Sequence, residues 1–130
     1  MARVEALKKP MLRDQQRALH AYEAVGSVQK AQQKDYKIAV NDLGANILRG
    51  GLCAALASVQ RLDGRGNEHA NVLLGHLTTA GVPGLEGATA VDLAKRVREL
   101  DADGYMIATR EMLQVAVWLK RAAQATFGED

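Results

Sequence analysis

His69 and His76 are the residues whose type and spacing come closest to a metal site. They stand seven apart, about two helical turns, so one helix face can present both imidazoles. Zinc needs more ligands nearby than two histidines, and Glu68-His69 has the wrong order and spacing for a His-Glu-x-x-His site. Both are read as surface or half-buried histidines, with His20 less distinctive still. Asp101-Ala102-Asp103-Gly104 followed by Glu111 superficially suggests a calcium loop. The third acidic or Asn ligand before the glycine is missing, and Glu111 falls one residue too late. Helix capping accounts for these aspartates. The glycines at 50–51 and 64–66 fit neither a phosphate loop nor a dinucleotide fingerprint, and no strand precedes them. No Ser or Cys is flanked by a recognisable base and orienter, and the lone Cys53 excludes a disulfide framework. The expectation is a protein without catalysis, cofactor, metal or small-molecule substrate.

The cations are more suggestive. Lys9, Arg13, Arg17 and His20 fall at i, i+4, i+8 and i+11, one face of a first helix. Lys30, Lys34 and Lys37 follow, and Arg49 sits just before the double glycine. Near the C-terminal end, Arg110 and Arg121 share a polar line with Lys120 beside it; eleven helical residues span roughly 16 Å, enough to follow several phosphates. Aromatics number five, and Tyr22, Tyr36 and Trp118 sit at core spacing, so any nucleic-acid contact would be with backbone and not with bases. A half-exposed interface position remains open for Trp118.

These charges are unevenly placed. Residues 1–61 carry ten basic and five acidic side chains, +5, and residues 62–130 carry seven and ten, −3. Such a split fits a basic face for an anionic partner, a head-to-tail contact between copies, or solvated helix surface.

The elements that must position them are helices. No stretch shows sustained strand alternation, and 130 residues make one domain, 1–130, with room for a proper core. A first helix is expected from about Glu5 to Lys34, firm from Met11 because of Pro10, facing inward with Met11 or Leu12, Ala18, Leu19, Tyr22, Val25 and Val28. A second spans Asp35–Arg49, ended by Gly50-Gly51, and a third Leu52–Leu62. Asp63 to Asn67 is a turn, and a fourth helix covers Glu68–Ala80. A loop at 81–87 precedes a fifth helix, opened by Thr89 and Asp92 as a capping box. The last helix, Asp103 to Phe127, is so apolar around its circumference that it reads as the central, largely buried post. The fold class is all-α, a bundle of about six helices. There is no signal-peptide stretch and nothing of transmembrane length, so a soluble, cytoplasmic protein is expected.

Tyr105, Thr109-Arg110-Glu111 and Trp118-Leu119-Lys120-Arg121, with Ala123 beyond, resemble the C-terminal signature of one family: the small subunit of the type III-B CRISPR RNA-guided effector, the Cmr complex. Tyr22-Glu23 with Val25, then Leu43, Ile47 and Gly51-Leu52, then His69-Ala70 with Leu73 and Leu77, resemble its earlier helices in the right order. Gly44, Gly50 and Ala122 depart from its usual Pro, Asn and aromatic. The resemblance implies an all-helical, non-catalytic subunit. A few copies would stack as a minor filament along the backbone subunits that hold the guide RNA, helping to retain target RNA. Sequence is then read by base pairing, and the protein supplies shape and charge. RNA-facing positions on this reading are Lys9, Arg13, Arg17, Lys37, Arg49, Arg110, Lys120 and Arg121. The alternatives are a helical adaptor that contacts only protein, and a helical metalloenzyme through His69 and His76.

Overall fold

The structure, a computed structural model, describes residues 11–128; the part of the first helix expected before Met11, with Lys9, lies outside them. Six helices follow: α1 Arg13–Gly26, α2 Lys30–Gly50, α3 Leu52–Gly64, α4 Glu68–Thr78, α5 Leu93–Arg98 and α6 Ala102–Thr126, with no strand among the described residues. The all-α bundle expected from the sequence is what forms. No helix among the described residues is long and apolar enough to cross a membrane.

The first boundary differs from expectation. The chain breaks at Gly26–Gln29, not at Lys34-Asp35. Gly26 is a poor helix former, and the Ser27 hydroxyl donates to the Ala24 carbonyl at 2.7 Å, closing the last turn of α1. Gln29 is extended, and α2 restarts at Lys30. The other punctuation holds. Gly51, at φ +95°, separates α2 from α3, and the Tyr105 hydroxyl accepts from the Cys53 amide at 3.0 Å, satisfying a free donor at the start of α3. Thr89 and Asp92 exchange side-chain bonds with each other's amides, at 2.7 and 3.3 Å. Asp101 caps α6 by accepting from the Gly104 amide at 2.7 Å.

The central post is α2, which packs against α3, α4 and α6 through Tyr36, Val40, Leu43 and Ile47. The last helix packs chiefly against α1 and α2, and it buries one face only: Ala108, Met112, Val115, Leu119 and Ala122, with Glu111 among them. Met106, Ile107 and Val117 are exposed on its outer side, so the expectation of a largely buried α6 is corrected. Its abundance of apolar residues belongs to an outer surface as well as to the core.

The inward face of α1 is the one expected at Val25, and at Val28 just past its end, but differs before them. Ala21, Ala24, Val25 and Val28 are buried, whereas Leu19 and Tyr22 are 48% and 43% exposed and Leu12 projects outward. Small side chains let α1 lie close to α6, where larger ones would hold it off. α2 and α6 run antiparallel: Gly44 faces Ala116, and Gly51 faces Tyr105.

Candidate nucleic-acid interface

The cations expected to share a surface fall into separate groups. On the α1 flank of α6, Arg17 is held by a carboxylate: its Nε and Nη2 donate to Glu111 Oε2 and Oε1 at 2.7 and 2.9 Å. Arg13 reaches the same carboxylate at 3.2 Å, and its Nη2 also donates to the Gly81 carbonyl at 3.4 Å. Glu111 is 8% exposed, and the Arg17 guanidinium, with help from Arg13, holds its carboxyl below the usual range although burial opposes this. Arg17 is in turn raised by the same bond. Arg110 stands beside this cluster, lining a shallow groove with Ile107, Leu113 and Gln114, and is exposed.

Near the end of α6, Trp118 is half-buried. Its indole N–H donates to Asp14 at 3.1 Å, and the Arg121 guanidinium lies 5.1 Å from its ring centroid. Trp118 is thus neither a plain core residue nor a free one. Lys120, between the two in sequence, is exposed.

A third group lies on α2. Lys30, Lys34 and Lys37, at i, i+4 and i+7, edge a groove floored by Ile38, Phe127 and Gly128. Since α6 runs back along α2 to bring Phe127 here, Lys120 and Arg121 belong to the same end of the α2–α6 pair. Arg49 is exposed at the far end of α2, reaching Asn46 at 3.5 Å. The ion pairs among the described residues are those of Arg13 and Arg17 with Glu111, and Lys95 with Glu99.

Of the two histidines expected at the surface or half-buried, His76 is half-buried and His69 departs from expectation. His69 is buried in α4. His76 points toward α1 and α2: Nδ1 lies 2.7 Å from the Tyr36 hydroxyl and Nε2 lies 3.1 Å from Ser27 Oγ. His20 Nε2 lies 3.1 Å from Thr79 Oγ1 on the same seam. No group of three or more His, Cys, Asp or Glu side chains among the described residues could hold a metal ion.

Ser27, His76 and Tyr36 have the connectivity of a nucleophile, base and orienter, which the sequence did not reveal because 49 residues separate the first two. The hydrogen bonds argue against that chemistry. Every donor in the cluster is satisfied when Tyr36 donates to Nδ1, Nε2–H donates to Ser27, and Ser27 donates to the Ala24 carbonyl. The ring then offers Ser27 a proton and not a lone pair. Burial, with the neighbouring His20, pushes His76 down to about 4, which makes it a weak base, and burial raises Tyr36 above the ordinary phenol range.

Glu111 is the residue whose role sequence reasoning missed. Its signal was available only in part: a glutamate stood within the buried stripe of Ala108, Met112 and Val115, but its partner Arg17 is 94 residues away.

Comparisons with known proteins agree with this architecture. The family model described as CRISPR-associated protein (Cas_Cmr5) matches residues 13–126. A solved structure, the X-ray crystal structure of a CRISPR-associated Cmr5 family protein from Thermus thermophilus, superposes with a TM-score of 0.75 at 30% sequence identity. The match covers 91% of this chain and 100% of that one. No curated protein sequence matches the chain.

Proposed function

The chain belongs to the Cmr5 family and is a small subunit of a type III-B CRISPR effector complex, and from this we propose that it works there without catalysis of its own, stacking with further copies along the backbone subunits and touching guide and target RNA phosphates through basic helix faces. The observation that supports RNA contact is the set of exposed cations with no carboxylate partner among the described residues: Lys30, Lys34 and Lys37 on α2, with Arg110, Lys120 and Arg121 on α6. Long unpaired cations spread along two antiparallel helices suit a phosphate backbone. Arg17 contributes differently, since Glu111 offsets its charge; with Arg13 it braces α1 on α6. The partners on this reading are effector subunits, further copies of the chain, and guide and target RNA, in the cytoplasm.

A second reading, docking through protein contacts alone, draws support from the outer face of α6. There Met106, Ile107 and Val117 are exposed beside Arg110, a composition typical of interface centres. The two readings part on substitution of Arg110, Lys120 and Arg121 together by Gln. Phosphate contact gives weaker retention of target RNA by the reconstituted effector, alike for all guide sequences, and a flatter salt dependence. Unchanged affinity and salt slope would leave only the protein-docking reading.

A further inference from the structure

The seam between α1 and α4 is built differently from the other helix contacts. Where α1 meets α6 it buries Ala21, Ala24 and Val25 and carries the Arg17–Glu111 bridge. Where it meets α4 and the loop after it, the cross-links are polar: Ser27 to His76 at 3.1 Å, His20 to Thr79 at 3.1 Å, and Arg13 to the Gly81 carbonyl at 3.4 Å. Two imidazoles therefore sit on one joint, and the other titratable or charged groups around them are few. Glu23 on α1 faces His20, Tyr36 on α2 faces His76, and Phe127, after α6, meets the Tyr36 ring edge-on at 6.2 Å.

We propose that this seam is an acid-released joint: protonation of His76 and His20 parts α1 from α4 while Glu111 keeps α1 on α6. A proton on His76 Nδ1 confronts the Tyr36 O–H of α2 with a second donor, so the ring must swing off Tyr36, and swinging it draws Nε2 away from Ser27. Tyr36 is fully buried, so turning its hydroxyl away costs it its acceptor. A proton on His20 adds a second positive charge beside the first, and Glu23 offsets only one of them. α1 lies against α4 far less extensively than against α6, so less packing resists separation at this seam. The brace on the other side survives longer, because the Glu111 carboxyl stays ionised below the ordinary carboxylate range. Neutral solution thus holds α1 closed on both neighbours, and mild acid leaves it hinged on α6 alone.

Two spin-label pairs on the isolated protein, in a Cys53→Ser background, test this between pH 7.5 and 4. Gln16→Cys with Asn71→Cys reports α1 against α4, and Gln16→Cys with Gln114→Cys reports α1 against α6; all three positions are exposed. The expected result is a lengthening of the neutral-pH α1–α4 distance with a midpoint between pH 6.5 and 4 and an unchanged α1–α6 distance. The His20→Gln/His76→Gln variant should lose that transition. Should the double variant fail to fold, His20→Gln alone, which leaves Tyr36 and Ser27 their partner, should move the midpoint to lower pH. The proposal is overturned if the α1–α4 distance persists to pH 4, if both distances change together, or if the variants keep the wild-type transition.

Discussion

Arg17 and Glu111 face each other across the bundle in a two-pronged bridge of 2.7 and 2.9 Å, joining α1 to α6 through residues 94 apart in the chain. The Arg17 side chain is 19% exposed and that of Glu111 9%, so water screens the pair only weakly.

Removing Glu111 leaves Arg17 without its carboxylate, and removing Arg17 leaves the largely buried Glu111 with only the more exposed Arg13 as partner. Glu111→Gln and Arg17→Ala should each destabilise the bundle by about 2–3 kcal/mol in urea denaturation, and the double variant should cost less than their sum by about 1–2 kcal/mol. Additive losses would show that the two groups do not act as a pair. Substituting Arg110 or Lys120 by Gln touches no ion pair and should move stability by less than about 0.5 kcal/mol each, whereas Arg121→Gln also gives up the Trp118 ring and should cost about 0.5–1 kcal/mol.

Acid should act in two successive windows. His76 binds its proton less tightly in the folded state, at about 4, than at the ordinary 6.5. As pH falls below 6.5 the unfolded chain takes up that proton first, so stability from this group is full above about 6.5 and declines toward 4. Glu111 is shifted down from the usual carboxylate value, so its contribution is present above about 4.5 and is lost only as pH falls through its lower folded value. Denaturation midpoints measured from pH 8 to 4 should therefore fall, and His76→Gln should flatten the upper part of that curve. A profile of His76→Gln that parallels wild type would assign the decline to other groups.

Tyr105→Phe removes the hydroxyl that accepts the Cys53 amide and should cost about 0.5–1.5 kcal/mol. Thermal melting read by circular dichroism is sufficient, since the ring and its packing are retained. An unchanged midpoint would mean that water takes over the free amide without loss.

Gly44→Ala should do the opposite. A Cβ at Gly44 would lie 3.8 Å from the Ala116 Cβ, an ordinary van der Waals distance, inside a 21-residue helix. Removing glycine's extra freedom in the unfolded chain should stabilise by about 0.5–1 kcal/mol. A lower melting temperature would show that α2 and α6 cannot give way even slightly at their crossing.

Association is expected to be weak and head to tail, following the +5 and −3 halves of the chain, with isolated protein mostly monomeric. Sedimentation at low and high salt reads this directly; a tight dimer indifferent to salt contradicts it.

Helices were legible wherever the chain carries its own punctuation. Gly50-Gly51, Asp63 to Asn67, Thr89 with Asp92, and Asp101 each act through backbone geometry or a local hydrogen bond, and each boundary falls within a few residues of its expected place. The α1–α2 break was not legible, because Val25 and Val28 keep an apolar rhythm running through Gly26-Ser27. The face of α1 was misjudged for a related reason: Leu19 and Tyr22 outweigh Ala21 and Ala24 in hydrophobicity, yet closeness to α6 selects the smaller residues. The candidate interface was legible as residue types but not as neighbours. Only the tertiary arrangement separates Arg17, neutralised by a distant glutamate, from Lys34 and Lys120, which have no such partner among the described residues.

The docking of α1 on α6 also sets an order on synthesis. Of the six described helices α1 leaves the ribosome before the others and its main partner α6 after them, so its inner stripe must wait through the translation of nearly the whole described chain. α2, α3 and α4, which pack on one another, can associate in the meantime. A waiting stripe of Ala21, Ala24 and Val25 offers nascent chains and chaperones little to seize, whereas one built of leucines would be an aggregation hazard during every round of translation. Small residues on α1 therefore serve the newborn chain as well as the finished bundle.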